Sequence, residues 1–135
     1  MVSVRSALVV LLLAACGEAP KADPPVVVIP PPPYESFDAR PCPSDSALTW
    51  ENFGEPYVRN WCTACHSSTL DEAHRGGAPV EINLDSLANV RTLKERMWAR
   101  SGDQNNTMPP AGYAPDVERS QLGEWLACGA KARGD

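Results

Sequence analysis

Blocks of positive charge are missing from this chain of 135 residues: its 12 Lys and Arg are scattered among 17 Asp and Glu, for a formal charge of −5. A surface that does not gather cations cannot neutralise a phosphate backbone, so nucleic-acid binding is not expected. Aromatic side chains are few, with 4 Trp, 3 Tyr and 2 Phe, and the length allows one small domain with extensions, not a large multidomain enzyme. Histidine is scarcer still, His66 and His74 alone, and beyond the first residue methionine occurs only as Met97 and Met108. No segment shows sustained strand-like alternation. The unbroken Ala, Val and Leu run from Ala7 to Ala15 is too short to span a bilayer as a helix.

Proline, by contrast, is abundant, and nine of the 14 prolines lie between Pro20 and Pro43. Such a stretch has largely fixed φ angles and few donors, so residues 16–41 are expected to be an extended spacer reaching at most about 75 Å at ~3.1 Å per residue. An edge strand at Val26–Ile29 is the alternative. Ahead of the spacer, Arg5 and the apolar run read as an export signal over residues 1–15. Leu13-Ala14-Ala15-Cys16-Gly17 resembles the lipobox of bacterial lipoproteins. That resemblance implies removal of residues 1–15, a diacylglycerol on Cys16, and anchorage to a bacterial membrane facing the periplasm. Gly17 in place of an aspartate favours the outer membrane. The alternative is an ordinary secreted chain in which Cys16 is part of the signal.

From Cys42 onward the apolar positions recur at helical intervals, and an all-α domain is expected over residues 42–130, followed by a short tail at 131–135. Trp50, Phe53, Tyr57, Val58 and Trp61 mark one face of a helix between Thr49 and Cys65, with its start left open by Pro56. Asp85 is a candidate N-cap for a second helix through Leu87, Val90, Leu93 and Met97 to Gly102. A third begins around Pro115-Asp116, carries Leu122, Trp125 and Leu126, and ends at Gly129.

At the end of the first helical segment stands Cys62-Thr63-Ala64-Cys65-His66, the CxxCH spacing of a c-type haem site. Two thiols three residues apart on one turn can reach the two vinyl groups of a single macrocycle, and the next residue offers its imidazole to the iron. The competing zinc reading needs four ligands, and Cys42, Cys128 and His74 form no second close pair. A thioredoxin-like redox pair needs a CxxC opening a helix within a βαβ unit, and no such pattern exists here.

Residues 49–129, with a helix into CxxCH, a loop, and Met108-Pro109 before a closing helix, resemble a monohaem class I cytochrome c. The resemblance implies a small helical domain wrapped around one covalent haem c, with thioethers from Cys62 and Cys65, and iron ligands His66 and Met108. Met97 falls in the apolar repeat of the second helix and is read as core; His74 lies in a polar run and is read as a surface residue. By the same resemblance the Pro79 carbonyl would accept the His66 ring N–H, and Gly54 would meet Trp125 where the first and last helices cross. With Cys16 assigned to lipid and Cys62 and Cys65 to haem, Cys42 and Cys128 remain as a pair in an oxidising compartment, and a disulfide is expected.

With both axial positions filled, no substrate turnover at the metal is expected, and the implied function is outer-sphere electron transfer by a membrane-anchored monomer between redox-protein donor and acceptor. An acidic net charge suits partners with a basic docking face. The alternative is a haem protein with a labile or missing sixth ligand, acting as a small-ligand binder or a peroxidase-like enzyme. A structural subunit that carries haem as a fold staple is a third reading.

Overall fold

A computed structural model describes residues 34–135; the stretch read above as an export signal, Cys16 and the expected spacer up to Pro33 lie outside the described residues. Three α-helices and no strand are present among the described residues: α1 (Glu55–Trp61), α2 (Leu87–Ser101) and α3 (Asp116–Ala127). The fold is therefore all-α. No helix among the described residues is long and apolar enough to cross a membrane.

The helical start near Pro56 resolves into two pieces. Thr49 caps the chain in a reciprocal box with Asn52, and Trp50–Gly54 then winds as a wide π-turn, with Gly54 N–H donating to Thr49 O at 3.0 Å. Regular α-geometry begins at Glu55, which puts Pro56 in the first turn, where a missing N–H costs nothing. At the other end α1 stops at Trp61 and does not continue to Cys65.

Helix α2 is capped by Ser86, whose hydroxyl accepts from Asn89 N–H, and not by Asp85. The Asp85 carboxylate is engaged elsewhere, as described below. Pro115 is the N-cap of α3 and Asp116 its first residue, one position later than a proline at the first helical position would give. Gly54 and Trp125 meet as expected: a Cβ on Gly54 would lie 2.4 Å from Trp125 Cζ2, so only glycine lets this turn sit on the indole. Trp125 is fully buried, with Trp50 and Phe53 packed at centroid distances of 6.1 and 6.2 Å, beside Val58, Val90, Leu122 and Leu126.

Both chain ends of the domain are more firmly built than their composition suggests. The sequence assigns residues up to Pro41 to the spacer, yet Tyr34–Arg40 is folded onto the helices. Phe37 stacks near Trp98 at 5.9 Å, and the Tyr34 carbonyl accepts from Gln104 Nε2. Arg40, 8% exposed, donates through Nε to both Asp103 oxygens at 3.1 and 3.2 Å and through Nη2 to Ser120 O. Trp98 Nε1 donates to the same carboxylate at 2.6 Å. The expected tail is likewise docked: Lys131 O accepts from Trp50 N–H and Trp125 Nε1, and Arg133 N–H donates to Glu51.

Removing one partner of a buried ion pair leaves the other charge uncompensated, so Asp103→Ala is expected to destabilise by about 3–5 kcal/mol. Denaturant unfolding checks this, and a change of Asp103→Ala within the scatter of exposed-site variants would show that Arg40 reaches solvent.

Cys42 and Cys128 stand at disulfide distance, 86 positions apart in sequence. The link joins the segment entering the domain to the residue that caps α3. Closing a loop of that length restricts the unfolded chain by about 4 kcal/mol in the chain-entropy model. The Cys42→Ser, Cys128→Ser double variant is expected to lose stability on that scale, read as a lower denaturant midpoint, whereas an unchanged midpoint on adding reductant to the wild type would deny the link.

Candidate cofactor site

The turn after α1 carries the motif. Cys62 N–H and Thr63 N–H both donate to Val58 O, and Cys65 N–H and His66 N–H both donate to Cys62 O, at 3.1 and 2.9 Å. These bonds coil residues 62–66 into a tight turn, with Cys62 and Cys65 unpaired thiols, each partly buried. Burial pushes the Cys62 thiol up to about 12. A redox-active CxxC works through a thiol lowered toward neutral pH, so the environment of Cys62 runs opposite to the thioredoxin-like alternative.

His66 is held twice by the segment that leads to α2. Its carbonyl accepts from Leu84 N–H at 2.8 Å, and its ring Nδ1 lies 3.0 Å from Ile82 O. With Nδ1 donating to that carbonyl, Nε2 is the nitrogen left to act as a ligand. The acceptor is thus Ile82 and not Pro79, whose carbonyl accepts from Ile82 N–H and from Arg75 Nη2. The turn that Ile82 N–H closes onto Pro79 O carries the chain past the proline and brings the Ile82 carbonyl to the imidazole.

Two further fastenings keep this loop in place. Asp85 accepts from Ser68 Oγ and N–H and from Ser67 Oγ at 2.6–2.9 Å. Those bonds, the Ser68 hydroxyl foremost, hold its carboxyl below the usual carboxylate range, so the residues following His66 are pinned by a charged acceptor. Gly76, at φ 59°, turns the loop back against the motif, where a Cβ would come 3.3 Å from Cys65 Sγ.

Met108 approaches from the other side of the chain. Its N–H donates to Arg100 O at 3.0 Å and its carbonyl accepts from Ser101 Oγ at 3.0 Å, so the last turn of α2 grips its backbone. Met108 itself is 37% exposed. Met97, by contrast, is buried at 6%, within the core cluster. His74 is exposed, paired with Asp71 on a short 3₁₀ turn, and not among the residues that line the cavity described next.

Cys62, Cys65, His66, Met108 and Pro79 all line one cavity of about 490 Å³, within the usual range of about 300–1,000 Å³ for small-molecule and cofactor sites. Trp61, Leu84, Leu93 and Met97 supply apolar wall. The charged side chains lining it are Arg75, Arg96 and Arg100, with no carboxylate among the described residues. In a chain of net negative charge this is a local reversal of sign, and it marks a site suited to a largely apolar ligand bearing anionic groups. Arg75 and Ile82 were not singled out by sequence reasoning. Backbone carbonyl acceptors carry no residue signature, and a lone arginine in a polar loop reads as solvated. No family model, no curated protein and no solved structure matches the chain.

Proposed function

We propose that the chain is a lipid-tethered, extracytoplasmic electron carrier that holds one c-type haem covalently through Cys62 and Cys65, with His66 and Met108 as the axial ligands of the iron. The observation that carries this reading is the convergence on a single cavity of the CxxCH residues and of a methionine 42 residues further along the chain. The remaining lining suits the group: apolar side chains for the macrocycle, and the exposed Arg96 and Arg100 for its two propionates. Once bound, the haem supplies one-electron chemistry at its iron.

The protein's own residues set the terms. Ile82 O accepts the hydrogen bond from His66 Nδ1–H, which fixes the tautomer and would leave Nε2 for the metal. Arg100 O and Ser101 Oγ hold Met108 by its backbone, so its thioether is presented at small ordering cost. A thioether ligand favours the reduced state relative to a second imidazole, and the apolar wall excludes water, which acts in the same direction. With His66 and Met108 both holding the iron, small ligands would find no open site there. In this reading the anchor at Cys16 keeps the domain near its membrane, and the spacer sets its reach between donor and acceptor.

The test is the spectrum of protein matured in cells that attach c-type haem. Low-spin iron with a sulfur-to-iron charge-transfer band, and no carbon monoxide adduct after reduction, is expected. High-spin iron that takes up carbon monoxide readily would favour the ligand-binding or peroxidase-like alternative.

A further inference from the structure

Three arginines are buried among the described residues, and two of them have a carboxylate: Arg40 faces Asp103, and Arg119 faces Asp116. Arg75 does not. It is the deepest of the three, at 1% exposure, and every acceptor around it is neutral: the carbonyls of Ser67, Ala78, Pro79 and Ile82 and the side-chain oxygen of Asn83. A buried cation without an opposite charge is costly, and hydrogen bonds to carbonyl dipoles offset only part of that cost. One of those bonds has a second meaning. Arg75 Nη2 lies 2.9 Å from Ile82 O, the same oxygen that His66 Nδ1 approaches at 3.0 Å.

We propose that Arg75 is a positioning residue that raises the reduction potential of the iron through the Ile82 carbonyl it shares with His66. The inference rests on the haem reading above. Two effects act with the same sign. A charge-assisted bond from the guanidinium draws on the carbonyl oxygen, weakens its bond to the imidazole N–H, and makes His66 a less electron-rich ligand. The fixed positive charge also opposes the oxidised state, which carries one more positive charge than the reduced state. A clamp that only held the loop would act on stability and leave the potential of the folded protein unchanged.

The experiment is a redox titration of the matured full chain as wild type, Arg75→Gln and Arg75→Lys, with spectra to verify low-spin iron in each. Arg75→Gln is expected to shift the one-electron equilibrium toward the oxidised state about tenfold, or about 59 mV. Arg75→Lys, which keeps the charge and loses the fork, should fall between it and the wild type. The His66 Nδ1–H proton resonance of the reduced protein is expected to move in both variants. If Arg75→Gln does not fold, Arg75→Lys decides alone, with a shift of at least threefold expected. A low-spin variant, Arg75→Gln or Arg75→Lys, whose equilibrium stays within threefold of the wild type overturns the proposal. Wild-type protein that emerges without haem would instead remove the reading on which it rests.

Discussion

Replacing Cys62 and Cys65 together with alanine is expected to abolish covalent haem: the chain should lose its colour once denatured, in cells where the wild type stays coloured on a denaturing gel. The two thiols sit at either end of one turn, closed by the bonds from Cys65 and His66 N–H to Cys62 O, and both line the same cavity. In the proposed reading that placement would let each thiol add across a different vinyl group of one macrocycle. A single variant, Cys62→Ala or Cys65→Ala, is expected to keep one thioether and to shift the reduced absorption bands to longer wavelength, because the unreacted vinyl stays conjugated with the ring. Loss of His66 should differ from both, since the thioethers can form while the iron lacks its proximal nitrogen. A double cysteine variant that retained haem through extraction with acid and organic solvent would show that attachment lies elsewhere.

The second large effect is at Met108, the other proposed ligand of the iron. Met108→Ala is expected to remove the sulfur charge-transfer band and to allow carbon monoxide to bind the reduced protein, with a marked fall in potential. The protein's architecture makes this substitution selective. Arg100 and Ser101 hold the backbone of residue 108, not its side chain, so the loop keeps its bonds when the thioether is cut away. Met97→Leu is the matched comparison: it changes a buried core residue of similar volume and should cost less than about 1.5 kcal/mol in stability with little change in the spectrum. If Met97→Leu, and not Met108→Ala, removed the sulfur band, the ligand assignment would be reversed.

Much of this site is legible in the sequence because its chemistry is local. Cys62, Cys65 and His66 are neighbours, and their spacing alone suggests a shared ligand. Met108 stands out because a methionine before two prolines has no helical face to fill. The three helices follow from apolar periodicity, and Gly54 against Trp125 follows from the family resemblance. What escaped is non-local or carried by the backbone. Asp85 and Ser86 are both competent caps, and only the return of Ser67 and Ser68 to the Asp85 carboxylate decides between them. Pro79 and Ile82 offer identical carbonyls; which one meets His66 depends on how the intervening turn closes. The segment 34–40 follows a run of prolines, and its folding depends on Trp98 and Asp103, some sixty residues away, which no local pattern reveals.

The arginines teach the same point about charge. Summed over the chain, acidic groups prevail, and the sum suggests an acidic surface. The distribution is uneven where it matters, since Arg75, Arg96 and Arg100 gather at the cavity without a carboxylate among its lining. Net charge describes solubility and encounter with partners; the local set of charges describes what the cavity will hold.

The most direct measurement is the intact mass of the mature chain, together with a pyridine haemochrome spectrum, after expression in cells equipped to attach haem. The account predicts one added haem, a haemochrome of the two-thioether type, and no free thiol available to alkylation at positions 62 and 65. A colourless chain with the mass of the bare polypeptide and two alkylatable thiols at those positions would contradict it.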